Sequence, residues 1–386
     1  MQLQLPEPSI DALIASRALH TLIANDIRHN SGWIPFSRYM ELALYAPGLG
    51  YYSGGAAKLG KDGDFTTAPE MTSLFGETLA QVAADLMTQS APQILEFGAG
   101  SGKLAFDILT ALAKQGVPVH RYSIMEVSGE LRARQERKLR GFPQVTWLDH
   151  FPAAFSGVVI GNEVLDAMPV SLVVKTDQGW KERGIGLSDK HFVYRDRPCD
   201  AALIAQIAQA ATLPVGYLTE VHPVAAGFME SLASSLCAGF DDTGIGSAAI
   251  LIDYGFPEHE YYLPDRAEGT LMCHYRHHSH PDPLFLPGLQ DITAHVDFTA
   301  MAQAAVNGGL DVLGYMNQAA FLLDAGIGDL LSRTPASDQR RYLPQANAVQ
   351  KLTSPAEMGE LFKVLVVGKQ IALPDRFGHG HYGRGR

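Results

Sequence analysis

One segment combines residue types that could bind a nucleoside. A strand-like run ending in Glu96-Phe97 leads into Gly98-Ala99-Gly100-Ser101-Gly102 and then into a helix-like segment. Glycine has no Cβ, so three alternating glycines let the sugar or tail of a nucleotide approach the backbone closely. A plain strand-to-helix turn is the alternative, but the order strand, glycines, helix favours a nucleoside site.

A carboxylate follows at the position where such a site needs one. Glu126 ends the next predicted strand and could accept hydrogen bonds from both ribose hydroxyls, with Val127 beside it. A solvated strand-end carboxylate is the alternative for Glu126, which by itself does not separate NAD from a sulfonium nucleoside. A dinucleotide fingerprint would place a small residue at position 103, where this chain has Lys103. The compact glycine pattern therefore favours S-adenosylmethionine as the cofactor.

A long loop precedes these elements. Between Tyr45 and Pro69 the chain is rich in Gly, Tyr, Asp and Thr, which predicts a loop with a specific shape. Loops of this length in compact domains are usually functional, and this one could close over the cofactor. Thr67 and Pro69 are then candidates for cofactor contact, and Asp64 and Glu70 for substrate contact. Hydrogen bonding within the loop and capping of the helix at Pro69 are the alternative.

The elements around the glycine loop alternate between strand and helix. This alternation predicts an α/β fold with a doubly wound, mostly parallel sheet. A hairpin is predicted around 177–179, inserted after the fourth strand. The predicted sheet strands are 93–97, 121–127, 144–148, 157–161, 248–254, 310–315 and 362–367.

The same pattern predicts three parts of the chain. They are a helical and loop extension on the substrate side (1–90), a Rossmann-like domain (91–376) with insertions at about 170–215, 256–298 and 316–361, and a disordered tail (377–386).

Composition narrows the class of partner. The 386 residues carry a formal net charge of -11, which disfavours nucleic acid and favours a cationic partner. The three cysteines are far apart in sequence, so we expect reduced thiols. The first ten residues do not resemble a signal or transit peptide, and no apolar run is long enough to cross a bilayer. We expect a cytoplasmic, bacterial protein.

A histidine-rich run invites a metal interpretation. Cys273-His274-Tyr275-Arg276-His277-His278-Ser279-His280 offers thiol and imidazole ligands. The spacing fits no standard helical or knuckle arrangement, so we assign no metal to it.

At the level of whole motifs, the sequence resembles the MidA-type methyltransferases, a family that includes a mitochondrial complex I assembly factor. The blocks that carry the resemblance span nearly the whole chain, and the first and fourth are much more specific than the glycine loop. They are 63–70 followed by 75–77, 96–102, 126–128, 161–169, 253–255 and 287–298.

The resemblance implies a class I methyltransferase fold, with a seven-stranded, mostly parallel sheet whose last strand is antiparallel. It also implies S-adenosylmethionine as the cofactor and symmetric dimethylation of an arginine on a protein partner, as in the mitochondrial members. A substrate-side loop is implied around the histidine-rich run, and His295 is a candidate there, although a structural hydrogen-bonding role is equally open.

Two carboxylates near the fourth strand are the catalytic candidates. Reactive crevices of open α/β sheets lie beyond the carboxyl ends of the strands, where Asn162 and Glu163 follow the fourth strand. An arginine nucleophile must be held by carboxylates and must lose a proton, because its pKa in water exceeds 12. Glu163 and Asp166 could do this. Alternatively, Glu163 binds the cofactor's amino group and Asp166 caps a helix. The candidate cofactor-contact residues are Glu96, Phe97, Gly98, Ala99, Gly100, Glu126, Val127, Asn162, Thr67 and Pro69.

Three other functions compete with arginine methylation. A small-molecule methyltransferase would need a deep enclosed pocket. An assembly chaperone could bind cofactor without catalysis, although intact Gly98, Gly100, Glu126 and Glu163 argue against loss of catalysis. An NAD-linked oxidoreductase is disfavoured by Lys103 and by the lack of an evident proton-transfer pair.

Overall fold

The computed structural model describes residues 5–54 and 67–378. The chain forms two compact units, each built from three separate segments. The antiparallel-sheet unit comprises Met1–Phe65, Leu165–Gly227 and Phe256–Ala300. The parallel-sheet unit comprises Thr66–Val164, Phe228–Gly255 and Met301–Arg386.

The helices of the described residues are α1 (Ile10–His29), α2 (Phe36–Tyr45), α3 (Ala68–Met71), α4 (Ser73–Met87), α5 (Lys103–Gln115), α6 (Gly129–Lys138), α7 (Ala201–Ile204), α8 (Pro223–Thr243), α9 (Glu258–Tyr261), α10 (Phe298–Asn307), α11 (Gln318–Asp324), α12 (Ile327–Ser332), α13 (Gln339–Thr353) and α14 (Met358–Leu361), with a final 3-10 turn at Asp375–Phe377. None of them is long and apolar enough to span a bilayer.

The strands of the described residues are β1 (Trp33–Pro35), β2 (Gln93–Phe97), β3 (Arg121–Met125), β4 (Val145–Leu148), β5 (Val158–Asn162), β6 (Ser171–Thr176), β7 (Gly179–Ser188), β8 (His191–Pro198), β9 (Leu218–Val221), β10 (Ser247–Phe256), β11 (Met272–Tyr275), β12 (His278–His280), β13 (Asp291–Thr293), β14 (Val296–Asp297), β15 (Asp311–Asn317) and β16 (Phe362–Lys369).

The parallel-sheet unit has the predicted class I methyltransferase architecture. Its strands follow the order β15-β16-β10-β5-β2-β3-β4. From β10 to β4 the neighbours are parallel, whereas β16 is antiparallel to both β10 and β15. Strands β2, β5 and β10 are almost wholly buried, as expected for a sheet covered by helices on both faces. The α/β prediction and the antiparallel last strand are confirmed.

Two helices before residue 90 belong to this unit. Thr72 caps α4 by accepting a hydrogen bond from Leu74 N, and the apolar face of α4 packs into the same core as α5 and the sheet. The predicted division at residue 90 therefore falls after helices that bury their apolar stripe against the sheet. The predicted disordered tail begins too early, because Phe377 is buried and stacks on Phe321 at 5.3 Å between ring centroids. Residues 379–386 lie outside the described residues.

The antiparallel-sheet unit contains the predicted hairpin. Strands β6 and β7 pair through Thr176 and Gly179, and Gly179 has the positive φ (100°) that a tight hairpin turn favours. Its main sheet follows the order β1-β7-β6-β9, with β8 added to β7, and a small sheet has the order β12-β11-β13.

Candidate cofactor and active site

The glycine loop joins β2 to α5 in the conformation that the sequence requires. Gly98, Gly100 and Gly102 all have positive φ, at 63°, 53° and 76°. A side chain is disfavoured there, because left-handed backbone brings Cβ too close to the following carbonyl. The Gly98 N–H donates a hydrogen bond to the carbonyl of Met125, which ties the start of the loop to β3. The loop thus exposes backbone at the carboxyl edge of the sheet.

Glu126 lies directly after β3, and its carboxylate is held by backbone N–H groups and by one side-chain amide. Its Oε1 accepts a hydrogen bond from Ser128 N at 2.9 Å, and its Oε2 accepts one from Gln135 Nε2 at 2.9 Å. Burial raises the pKa of Glu126, and these hydrogen bonds, with those of backbone N–H groups, oppose the shift. The next side chain, Val127, is 79% exposed, which leaves an apolar surface beside the carboxylate.

The Glu96 side chain is buried and hydrogen-bonded within the protein. It is buried in β2, and its Oε2 accepts a hydrogen bond from the Tyr122 hydroxyl at 2.7 Å. Burial raises the pKa of Glu96 to about 8, with a smaller contribution from the charge of Glu126 and an opposing one from the Tyr122 hydrogen bond. Phe97 packs edge-on against Phe228 in an aromatic cluster. The side chains of Glu96 and Phe97 therefore pack within the protein at the end of β2, directly before the glycine loop.

The segment around Pro69 reaches the glycine loop. The hydroxyl of Ser101 donates a hydrogen bond to the Glu70 carboxylate. Pro69 is buried in the first turn of α3, and Thr67 immediately precedes that helix without a side-chain capping bond. Glu70, predicted on the substrate side, is thus placed at the cofactor loop. Asp64 lies outside the described residues.

Asn162 and Glu163 end β5 in a constrained turn. Glu163 has a φ of 55°, which non-glycine residues seldom adopt, and its N–H donates to the carbonyl of Ile252 at 2.8 Å. Asn162 Nδ2 donates to Glu163 Oε1 at 3.0 Å. The backbone of the turn is therefore held at Glu163, and the carboxylate of Glu163 is oriented by the Asn162 side chain.

Asn162 also presents a buried acceptor atom. Its Oδ1 is buried, and among the described residues it has no hydrogen-bond partner. A buried acceptor without a donor is costly, so this atom fits a ligand that brings an N–H or O–H group. The amino group of a methionine-derived cofactor is such a donor.

Asp166 lies in the other unit. It is buried, its carbonyl accepts a hydrogen bond from Ala294 N at 3.0 Å, and the carbonyl of Ala167 accepts one from the Tyr45 hydroxyl at 2.9 Å. Nearby in this unit, the Tyr52 hydroxyl donates to the buried carboxylate of Asp291 at 2.9 Å. The boundary between the units falls at Val164/Leu165, so Glu163 and Asp166 belong to different units.

His295 belongs to a buried network in the antiparallel-sheet unit. Its ring stacks on Phe256 at 5.2 Å, and its Nδ1 lies 3.4 Å from the carbonyl of Thr270. Burial lowers the pKa of His295 to about 4. These contacts fit the structural role that the sequence left open for His295, and its substrate role stays a prediction.

The histidine-rich run forms the β11–β12 hairpin. Arg276 and His277 make its two-residue turn with φ values of 46° and 63°. In the described parts of the chain, no three His, Cys, Asp or Glu side chains lie together in an arrangement that could hold a metal ion.

Two residues of the site were missed from the sequence. Asp253 accepts a hydrogen bond from Val164 N at 3.0 Å, and it stood in one of the resembling blocks without an assigned role. Gln135 bonds to Glu126 and to the glycine loop, and its signal is a polar residue at a buried helix position.

Comparison with known proteins decides between the cofactors left open by the sequence. A family model described as an S-adenosyl-L-methionine-dependent methyltransferase matches residues 74–316, which include the glycine loop, Glu126 and Glu163. The chain belongs to the MidA-type methyltransferase family. It is an S-adenosylmethionine-dependent methyltransferase, and the bare glycine loop, Glu126 and the buried Asn162 Oδ1 fit that cofactor.

Relatives of this MidA-type methyltransferase include solved and curated proteins. A protein from Burkholderia thailandensis, described as a methyl transferase and crystallised with S-adenosyl-homocysteine, is 51% identical with a TM-score of 0.90 over 98% of both chains. The mitochondrial protein arginine methyltransferase NDUFAF7 of Bos taurus is 30% identical over 88% of this chain and 80% of its own. The Homo sapiens protein of that name is 29% identical over 86% of this chain and 79% of its own.

Proposed function

We propose that this MidA-type methyltransferase methylates an arginine of a protein partner. The relatives named protein arginine methyltransferase align over most of both chains, which supports this substrate class. The net charge of -11 suits a cationic partner. Symmetric dimethylation is the product that the family resemblance implies, and a subunit of respiratory complex I is the first partner to test.

The observation that carries the proposal is the fixed turn at the end of β5. S-adenosylmethionine supplies a methyl group on a sulfonium, which is transferred by in-line displacement and leaves S-adenosylhomocysteine. The protein must therefore align the nucleophile and exclude water. A guanidinium must also lose a proton, and Glu163 offers a carboxylate whose Oε1 is already oriented by Asn162.

In this proposal the residues have separate tasks. The glycine loop and Glu126 bind the nucleoside part of the cofactor, and Asn162 Oδ1 accepts a hydrogen bond from its amino group. Glu163 orients the guanidinium and takes its proton. The Glu70–Ser101 hydrogen bond holds the segment that follows the long loop against the glycine loop.

The test compares methylarginine-containing peptides, by mass spectrometry, in cells with and without the gene for this protein. Peptides that lose methylation in its absence are then offered to the purified enzyme with radiolabelled cofactor. We expect Glu163→Gln to bind S-adenosylhomocysteine normally and to lose transfer. A methylarginine profile identical in both cells, or transfer to a small molecule alone, would contradict the proposal.

A further inference from the structure

Helix α6 is polar along most of its length and buries only two side chains, Leu131 and Gln135. These residues are four apart, so they lie on the same face of the helix. Leu131 is apolar, as a buried helix face requires. An amide at the second position breaks the apolar pattern, and such local departures are expected at functional sites.

Each hydrogen-bonding group of the Gln135 side-chain amide has a partner. Its Nε2 donates to the carbonyl of Gly100 at 3.0 Å and to Glu126 Oε2 at 2.9 Å, while its Oε1 accepts from Trp147 Nε1 at 2.9 Å. The reverse orientation of the amide would set Oε1 against a carbonyl and a carboxylate, and its NH₂ against an N–H donor. The three partners therefore fix the orientation of the amide.

The backbone of α6 also meets the glycine loop at this point. A Cβ on Gly102 would lie 3.3 Å from both Cα and Cγ of Gln135. Gly102 itself has a φ of 76°. One residue thus contacts the middle of the loop through its side chain and the end of the loop through its backbone.

We propose that Gln135 is a positioning residue for cofactor recognition: it holds Glu126 against the glycine loop so that the carboxylate can accept hydrogen bonds from the ribose hydroxyls of the cofactor. The inference rests on the proposed role of Glu126. Ser128 N binds one oxygen of Glu126 and Gln135 binds the other, which sets the plane of the carboxylate.

The test uses Gln135→Leu, which keeps the approximate volume and removes the amide. The ligands are S-adenosylhomocysteine and its 2′-deoxy analogue, measured by calorimetry. We expect the wild-type protein to prefer the natural ligand, and Gln135→Leu to bind it about tenfold more weakly, which corresponds to the loss of a hydrogen bond to a charged group. Affinity for the deoxy analogue should change much less, so the preference between the two ligands shrinks.

Two controls separate positioning from general damage. Gln115→Leu, at the exposed end of α5, should leave both affinities unchanged. If Gln135→Leu does not fold by circular dichroism, Trp147→Phe replaces it, because removal of the Trp147 N–H frees the amide to rotate. We expect that variant to lose preference for the natural ligand as well, by a smaller factor of about threefold.

The outcomes distinguish this inference from the proposed function. An equal loss of affinity for both ligands, or no loss, overturns the positioning role of Gln135. A Glu126→Ala variant that keeps the full preference for the ribose hydroxyl removes the premise and overturns the inference as well. Arginine specificity is measured only with a methyl acceptor, so its failure would leave these binding results unchanged.

Discussion

The backbone N–H of Val164 donates a hydrogen bond to Asp253 Oδ2 at 3.0 Å. The other oxygen, Oδ1, accepts one from Tyr254 N at 3.0 Å, so a single buried carboxylate joins the turn after β5 to the end of β10. Glu163 lies in that turn, directly before Val164.

Asp253→Ala should therefore slow methyl transfer while leaving cofactor affinity nearly intact. Loss of a hydrogen bond to a charged group costs about 1.5–3 kcal/mol, which predicts a fall in kcat of about tenfold or more. Asp253→Asn keeps one acceptor oxygen and should be milder. Steady-state kinetics and calorimetry measure the two effects, with Asp311→Asn at the exposed start of β15 as the control. A kcat unchanged in Asp253→Ala would show that the turn holds without this contact.

The positive φ of Glu163 predicts that this residue costs the folded protein stability while its carboxylate serves activity. Glu163→Gly and Glu163→Ala both remove the carboxylate, and we expect both to lose transfer by at least about 100-fold. Glycine tolerates φ of 55°, whereas alanine does not, so the glycine variant should be the more stable by about 1–2 kcal/mol. Urea unfolding of the two variants measures the difference. Equal stabilities would mean that the backbone relaxes at this residue.

The glycine loop gives a matched pair of substitutions. Gly98 and Gly116 both have positive φ, at 63° and 72°, and lie before and after α5. Gly98→Ala and Gly116→Ala should lose similar stability, about 1–2 kcal/mol each. Only Gly98→Ala should lose affinity for S-adenosylhomocysteine, because a Cβ there would project from the backbone surface that the glycine loop leaves bare for the cofactor. That Cβ would lie 3.3 Å from Val164 Cγ2 in the turn after β5, whereas a Cβ on Gly116 has no neighbour within 4 Å. A thermal-shift titration shows whether the two variants differ; equal responses to the ligand would exclude the loop as the binding surface.

Glu96 predicts a pH dependence of stability without cofactor. Its pKa is about 8 in the folded protein, mainly through burial, against 4.5 for the ordinary side chain. The folded state therefore binds more protons than the unfolded state between these values. Stability from the protonated carboxyl is complete below about pH 4.5 and is lost as pH rises toward 8.

Glu96→Gln should remove this dependence, because the amide stays neutral and still accepts from Tyr122. Relative to the wild type, the variant should gain a few kcal/mol of unfolding free energy between pH 5 and pH 8. Urea titrations at the two pH values measure it. Subtracting the two proteins cancels the contribution of His222 and His295, whose pKa values burial lowers to about 4. Parallel curves for the two proteins would place the folded pKa of Glu96 near its ordinary value.

Local pattern was sufficient for the parallel-sheet unit. Alternating strand and helix signals, the glycines and the strand-end Glu126 depend on residues close in sequence, so the pattern predicted the mostly parallel sheet. The antiparallel last strand was implied by the family resemblance. The positions of Asp253 and Gln135 could not be predicted in this way, because their partners lie on other elements. Gln135 alone left a trace, as an amide where a buried helix face should be apolar.

Contacts between distant segments account for the other differences. Glu163 and Asp166 are three residues apart, yet the boundary between the compact units falls between them. For His295 the sequence left a substrate role and a structural role open. The stacking of its ring on Phe256 depends on the fold and could not be predicted from its block, and its substrate role stays a prediction. The division at residue 90 was misplaced because the apolar stripe of α4 does not indicate which of the two sheets the helix packs against.

The position of β16 has a consequence for synthesis of the chain on the ribosome. This strand is the last of the sheet in sequence, yet it lies between β10 and β15. Until residues 362–369 emerge, β10 has an unpaired edge of apolar residues, which is a hazard for aggregation in a nascent chain. Truncation before Phe362 should therefore yield an insoluble product rather than a smaller enzyme.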